Sequence, residues 1–317
     1  MLFAIAGSAA QAENASPTQV RDYRPVFQEC RPVAAGGDSA VLRFAIRRME
    51  IDGNGTLLTV DPATLATHLE REQDWSCADT DDEHQSTTRY IQAVRASVLP
   101  HAAGPVFPFG VIANGGLVHG AGSGSFVTGD LCPSHRRLDR AFLEKLQAVQ
   151  SPLPLALSIS GAWLISHEAD FEWLRERERA GAFQITWIDH SYTHPYVPRR
   201  PLVNNFLLTS GVDMRSEILD TERLLIAHGV TPSVFFRFPG LISNPALMQM
   251  VGDDHLIVLG ADAWLARSPR ARSGGIVLVH LNGNEPDGLK IFSTLLEDGK
   301  LPQPFRPIDD APADSTH

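Results

Sequence analysis

Two histidines four residues apart, His190 and His194, lie in the segment His190-Ser191-Tyr192-Thr193-His194-Pro195. Imidazoles at that spacing can hold one divalent cation where a segment leaves a strand and turns, or along one helical face. Spacing alone is a weak signal, since twelve histidines in 317 residues give about half such a pair by chance. Other reactive residues have a shared position. Asp130 follows the apolar run 125–128, and His190 follows 183–188. Arg237 closes 234–236, Asp262 and Trp264 follow 256–259, and His280 follows 276–279. Five apolar runs that each end in polar, titratable or aromatic groups read as an active site more readily than as scattered surface polarity.

Such residues need a scaffold that brings them together. From residue 125 onward, apolar runs at 125–128, 155–159, 183–188, 234–238, 256–259 and 276–279 alternate with amphipathic stretches at 137–149, 168–180, 214–228, 245–251 and 289–296. The first set reads as strands and the second as helices. His228-Gly229 with Pro232 beyond it, and Ala180-Gly181, are helix stops. Strand–helix alternation predicts parallel strands with crossover helices. The carboxyl ends of such strands form one rim, where ligands bind. A barrel and an open doubly wound sheet both fit the pattern.

The preceding stretch differs. Residues 41–51 and 56–60 are strand-like and flank Asp52-Gly53-Asn54-Gly55, which predicts a β-hairpin. The same stretch starts like a calcium loop, but Leu57 and Ala63 stand where the glycine and the closing glutamate are needed, which excludes calcium. Residues 78–84 read as an acidic, solvated loop. The glycines of 115–124 do not follow the GxGxxG order, so a loop is expected there rather than a dinucleotide site. His68, His84, His101, His119, His135, His167, His228 and His255 have no partner pattern and read as surface or cap residues.

The hexapeptide at 190–195 resembles the second motif of the polysaccharide deacetylases (carbohydrate esterase family 4, the NodB homology domain). The other motifs follow in the family's order. Thr128-Gly129-Asp130-Leu131-Cys132-Pro133 stands where the family has Thr-Phe-Asp-Asp-Gly-Pro. Phe235-Phe236-Arg237-Phe238-Pro239-Gly240 resembles the third motif, Asp262-Ala263-Trp264 the fourth, and Ile276-Val277-Leu278-Val279-His280 the fifth. The resemblance spans roughly residues 125–296 and selects the distorted (β/α) barrel, an α/β fold of about seven strands. It implies residues 109–305 as the barrel, 13–108 as a small N-terminal α+β accessory segment, and 306–317 as a polar tail.

The resemblance also implies roles. One divalent metal ion, zinc by expectation, is held by Asp130, His190 and His194 and activates water for attack on an acetyl group of a carbohydrate. Asp130 is the base and His280 the acid. Arg237 fixes a carboxylate, with Asp262 its partner or else the residue orienting His280. Trp264, Pro239 and Tyr192 contact the substrate. Leu131 departs from the family by replacing its second motif-one aspartate, a metal ligand. Two arrangements stay open: Asp130 tilts to the metal and gives up the base role, or it remains the base and the metal relies on the two histidines and solvent. Cys132 is a third possible ligand, weighed against a small packing residue. The alternatives to a sugar deacetylase are a carbohydrate-binding relative without turnover, a hydrolase of a non-sugar amide, and a structural envelope protein.

Bulk properties limit the partners. A net charge of −10 argues against nucleic acid. No run reaches the roughly 20 apolar residues of a membrane span. Residues 1–12 end in Ala10-Gln11-Ala12 and resemble a truncated secretory signal, which implies a periplasmic or secreted protein. In that setting Cys30 and Cys77 could pair; three free thiols are the alternative.

Overall fold

The computed structural model describes residues 18–33, 41–99, 106–268 and 270–313. The signal reading at 1–12 and His101 lie outside them. The chain runs through β1 (Val20–Pro32), β2 (Arg43–Ile51), β3 (Asn54–Val60), β4 (Thr67–Arg71), β5 (Trp75–Asp79) and α1 (Arg89–Val98). These five strands form one antiparallel sheet in the order β4-β3-β2-β1-β5. The β2–β3 hairpin closes with Ile51 opposite Asn54, and Asp52 and Gly53 take φ of 49° and 79°. Asp-Gly is suited to this turn because both central residues must adopt positive φ. Cys30 and Cys77 lie opposite each other on β1 and β5 and form a disulfide.

After β6 (Val106–Phe107) and β7 (Val111–Ala113) the chain enters β8 (Ser125–Leu131), α2 (Arg140–Val149), β9 (Leu153–Ile159), α3 (Gly161–Ser166), α4 (Glu168–Arg179) and β10 (Phe183–Asp189). It continues through α5 (Met214–Ala227), β11 (Phe235–Phe236), β12 (Ile242–Ser243), α6 (Pro245–Asp253), β13 (Ile257–Val258), β14 (Ala263–Trp264), β15 (Gly275–His280) and α7 (Pro286–Glu297). Local chemistry starts the helices. Asp139 caps α2 by accepting from the Phe142 amide at 3.0 Å, and Asn244 caps α6 with Pro245 following. His167 and His228 are indeed helix-end residues, closing α3 and α5.

Seven strands form one sheet in the order β13-β11-β10-β9-β8-β15-β14, every neighbouring pair parallel. This is the expected α/β barrel-type fold, left open between β13 and β14. Leu117 bridges to Leu259 and His119 to Gly275, so the segment before β8 spans that opening. Gly116 permits the crossing: its φ is 97°, and a Cβ there would lie 2.4 Å from the Val258 carbonyl oxygen.

Strand alternation sorts the core. Val127, Leu131, Leu155, Leu157, Ile159, Val277 and Val279 face the helices in one apolar cluster. Phe126, Ala156, Ile188, Ile276 and Leu278 belong to another, which also contains Phe44, Ile46, Met49 and Leu58 of the N-terminal sheet. The accessory segment therefore shares a core with the barrel. The expected polar tail is also partly folded. Ile308 and Ala311 are buried, Arg306 donates to the Ser125 carbonyl, and Asp309 accepts from Thr186.

The two parts are also joined by a buried ion pair. Arg47 of β2 makes a two-pronged contact with Glu222 of α5 at 2.7 and 3.0 Å, and donates to the carbonyls of Ile46 and Asp254. Both side chains are at most 1% exposed. Removing one partner leaves a desolvated charge, so Arg47→Met is expected to destabilise the fold by about 3–5 kcal/mol. Adding Glu222→Leu should recover most of that loss. Equilibrium denaturation of the single and double variants checks this; equal losses would locate the effect outside the pair.

Candidate active site

The site begins with the parity of β8. Side chains alternate faces along a strand. Leu131 is directed into the helix-facing core, whereas Thr128, Asp130 and Cys132 point the opposite way. In the parallel ladder Asp130 pairs with His280 on β15 and with Ser158 on β9. Acid and imidazole therefore stand side by side at the carboxyl ends of adjacent strands.

Arg237 follows β11 and is fully buried. It donates to Asp130 Oδ1 at 2.7 Å, Thr128 Oγ1 at 2.8 Å and the Gly260 carbonyl at 3.0 Å. One carboxylate oxygen of Asp130 is thereby fixed. The other, Oδ2, lies 3.7 Å from His190 Nε2. Burial pushes the Asp130 carboxyl up, but the charges of Arg237, His190 and His280 outweigh it and hold the group below the usual carboxylate range. Asp130 is ionised at neutral pH.

His190 leaves β10 and is fully buried. Its Nδ1 lies 2.8 Å from the Arg237 carbonyl and donates to it, which leaves Nε2 as the atom turned toward Asp130 and Cys132. His194 reaches the same place through a tight turn rather than a helix. Ser191 and His194 take φ of 65° and 48°, uncommon values for residues with a side chain. Hydrogen bonds hold the turn. Asp189 accepts from the Ser191 amide, Ser191 Oγ from the His194 amide, and Glu217 of α5 from both the amide and hydroxyl of Thr193. The two imidazole centroids are 4.8 Å apart.

Cys132 joins the histidines. Its Sγ is 3.5 Å from His190 Nε2. Ligand atoms of Cys132, His190 and His194 all lie within 4.8 Å of one another, and so do those of Asp130, Cys132 and His280. Burial favours the neutral thiol, but the charges of His194, His280 and His190 overcome this and hold Cys132 well below the ordinary thiol range. His194 Nε2 is buried without a hydrogen-bond partner, which is costly unless something binds there. One thiol and two imidazoles around a common point match the donor chemistry of zinc, with a fourth position left for a ligand. These residues fit a divalent ion.

Asp262 pairs with neither Arg237 nor His280. Arg237 pairs with Asp130, and Glu285 lies 3.0 Å from His280 Nδ1. Asp262 is 2.6 Å from His119 Nδ1 and accepts from Arg272 at 2.9 Å. It sits just before the edge strand β14, on the side reached by the crossing segment, so His119 is a half-buried partner rather than a surface or cap residue. Trp264 stands beside His280, centroids 5.9 Å apart, and donates to Glu285 at 2.6 Å. Tyr192 is half-buried against Gly161, where a Cβ would be 2.4 Å from its ring. Pro239 is buried at the start of a short 3-10 turn after Arg237. Glu285 escaped sequence reasoning; its only signal is its place five residues after His280, at the N-cap of α7. A groove of about 1070 Å³ between α2 and α7, lined by Asp139, Phe142, Lys145, Leu289 and Lys290, contains none of the clustered groups.

No family model matches the chain. Solved structures do. It is similar to family 4 carbohydrate esterases. One from Bacillus anthracis is 20% identical over 62% of this chain and 87% of its own, with a TM-score of 0.45. One from Streptomyces lividans, solved in complex with acetate, is 21% identical over 61% and 98%, with a TM-score of 0.40. A family 4 pseudoenzyme from Bacillus anthracis is 14% identical over 57% and 63%, with a TM-score of 0.38.

Proposed function

We propose that this protein is a metal-dependent hydrolase that removes acetyl groups from a carbohydrate outside the cytoplasm. The observation that carries the reading is the half-anchored carboxylate: Arg237 fixes Asp130 Oδ1, while Oδ2 lies 3.7 Å from His190 Nε2. The ordered sequence motifs support the acetyl-carbohydrate class, and the Cys30–Cys77 disulfide supports export.

A divalent ion held by His190 and His194 would supply Lewis acidity toward a carbonyl oxygen and acidify water. The protein groups do the rest. Asp130 is ionised and positioned to take a proton from the attacking water. Arg237 keeps that carboxylate in place and charged. His280, in the adjacent strand, gives a proton to the leaving nitrogen or oxygen. Glu285 orients His280, and Trp264 walls the side of the site where the small acyl group fits. Tyr192 and Pro239 flank the rim as substrate contacts.

Acetate release from a panel of acetylated glycans, measured with metal-equilibrated protein alongside elemental analysis, tests the reading. Release that a chelator abolishes and added metal restores supports it. Saccharide binding with no release would favour a binding relative, the reading that Leu131 encourages because its side chain is buried away from the site. Release from small acylated amides but not from glycans would move the substrate class.

Glu285 gives a smaller, separate prediction. Glu285→Gln keeps shape but loses the charge beside His280, so kcat should fall by about tenfold with KM little changed. Steady-state kinetics check this, and an unaltered kcat would remove Glu285 from the arrangement.

A further inference from the structure

We propose that Cys132 is the third protein ligand of the metal, making a thiolate–imidazole–imidazole site with His190 and His194 and leaving Asp130 free of the metal. The inference rests on the metal-dependent reading above and specifies it.

Three observations converge. Leu131 cannot contribute, since its hydrocarbon side chain offers no donor atom and lies in the helix-facing apolar cluster. The next inward position is Cys132, whose Sγ meets His190 Nε2 at 3.5 Å and shares a 4.8 Å neighbourhood with both histidines. His194 Nε2 is buried and otherwise unpartnered. Asp130 is differently engaged: its strongest contact is the 2.7 Å ion pair with Arg237, and it does not belong to the group formed by the two histidines. Leu131, the last residue of β8, thus stands where the resembled family has its second aspartate, and the residue just after the strand brings a thiol. The order of the chain shifts by one residue, and the face of the strand decides which side chain arrives. Thiolate also changes the preference of the site, favouring zinc over magnesium or manganese, which take oxygen donors.

Cys132 is the free cysteine of the chain, since Cys30 and Cys77 are joined. Any metal–sulfur signal therefore reports on it. X-ray absorption at the zinc edge of the zinc-loaded wild-type protein should show one sulfur scatterer at about 2.3 Å beside nitrogen or oxygen. Cobalt-loaded protein should show a near-ultraviolet thiolate-to-cobalt charge-transfer band. Cys132→Ser should lose that band and bind zinc at least about a hundredfold more weakly. Cys132→Asp should lose the band while recovering zinc affinity. Zinc bound at one per chain with nitrogen and oxygen scatterers only would overturn the Cys132 assignment and leave the hydrolase reading intact. A wild-type protein that binds no zinc or cobalt would overturn both. Because the absorption measurement uses the unaltered chain, a variant that fails to fold does not decide the matter.

Discussion

His190→Ala and His194→Ala are each expected to remove bound metal and hydrolysis together. Neither ring is replaceable by its surroundings. His190 is fully buried with Nδ1 directed at the Arg237 carbonyl, so only Nε2 is available and nothing else occupies its place. His194 is brought in by the turn at Ser191, and its buried Nε2 has no other hydrogen-bond partner. Metal content should fall to near zero in either variant at micromolar zinc, and kcat/KM should fall at least about a thousandfold, equivalent to roughly 4 kcal/mol of transition-state stabilisation. Alanine carries a Cβ as histidine does, so the positive φ at position 194 costs both residues alike. Thermal denaturation checks that the variant stays folded. Wild-type turnover in either variant, with no bound metal, would end the metal-dependent reading.

Asp130→Asn has the second large expected effect, and it distinguishes the two roles left open by the sequence. Asparagine keeps the shape and one acceptor for Arg237 but cannot take a proton from water. With Cys132 as the third ligand, metal content should stay near one per chain while kcat falls at least about a thousandfold. Arg237 would lose the anion paired with its buried guanidinium, so a stability loss of about 1–3 kcal/mol is expected as well. Titration with zinc and steady-state kinetics on the same preparation decide the outcome. Loss of metal together with activity would make Asp130 the ligand and count against Cys132.

These expectations differ in how far the sequence supports them. Six of the seven strands were visible as apolar runs because parallel strands buried on both faces read as nearly continuous hydrophobic segments, while the two-residue β14 was not. Strands β11 and β13 are only two residues long in the structure, shorter than their runs, yet each still delivers its neighbouring groups to the rim. The positions of Asp130, His190, Arg237 and His280 at strand ends followed from the same pattern. The hairpin at Asp52-Gly53 was legible because a two-residue turn imposes its own residue types. The pairing of Cys30 with Cys77 was not, since it depends on β1 and β5 becoming neighbours, 47 residues apart in sequence.

The carboxylate assignments show the boundary most clearly. Asp262 stood in a recognisable motif and was matched to Arg237 or His280, but Arg237 took Asp130 and His280 took Glu285. Asp262 turned to His119 and Arg272. Each partner choice depends on which loop ends lie within a few ångströms, a relation set by strand order and crossover path rather than local composition. By itself the sequence determined the alternation of elements, the rim on which reactive residues gather, and the histidine pair, because hydrophobic periodicity and short-range spacing are properties of neighbouring residues. Only the tertiary structure decided that Leu131 turns away while Cys132 turns in, and that Glu285 joins His280. Those outcomes rest on the register of β8 between β9 and β15, and on the entry of α7, where contacts between distant parts of the chain select one arrangement.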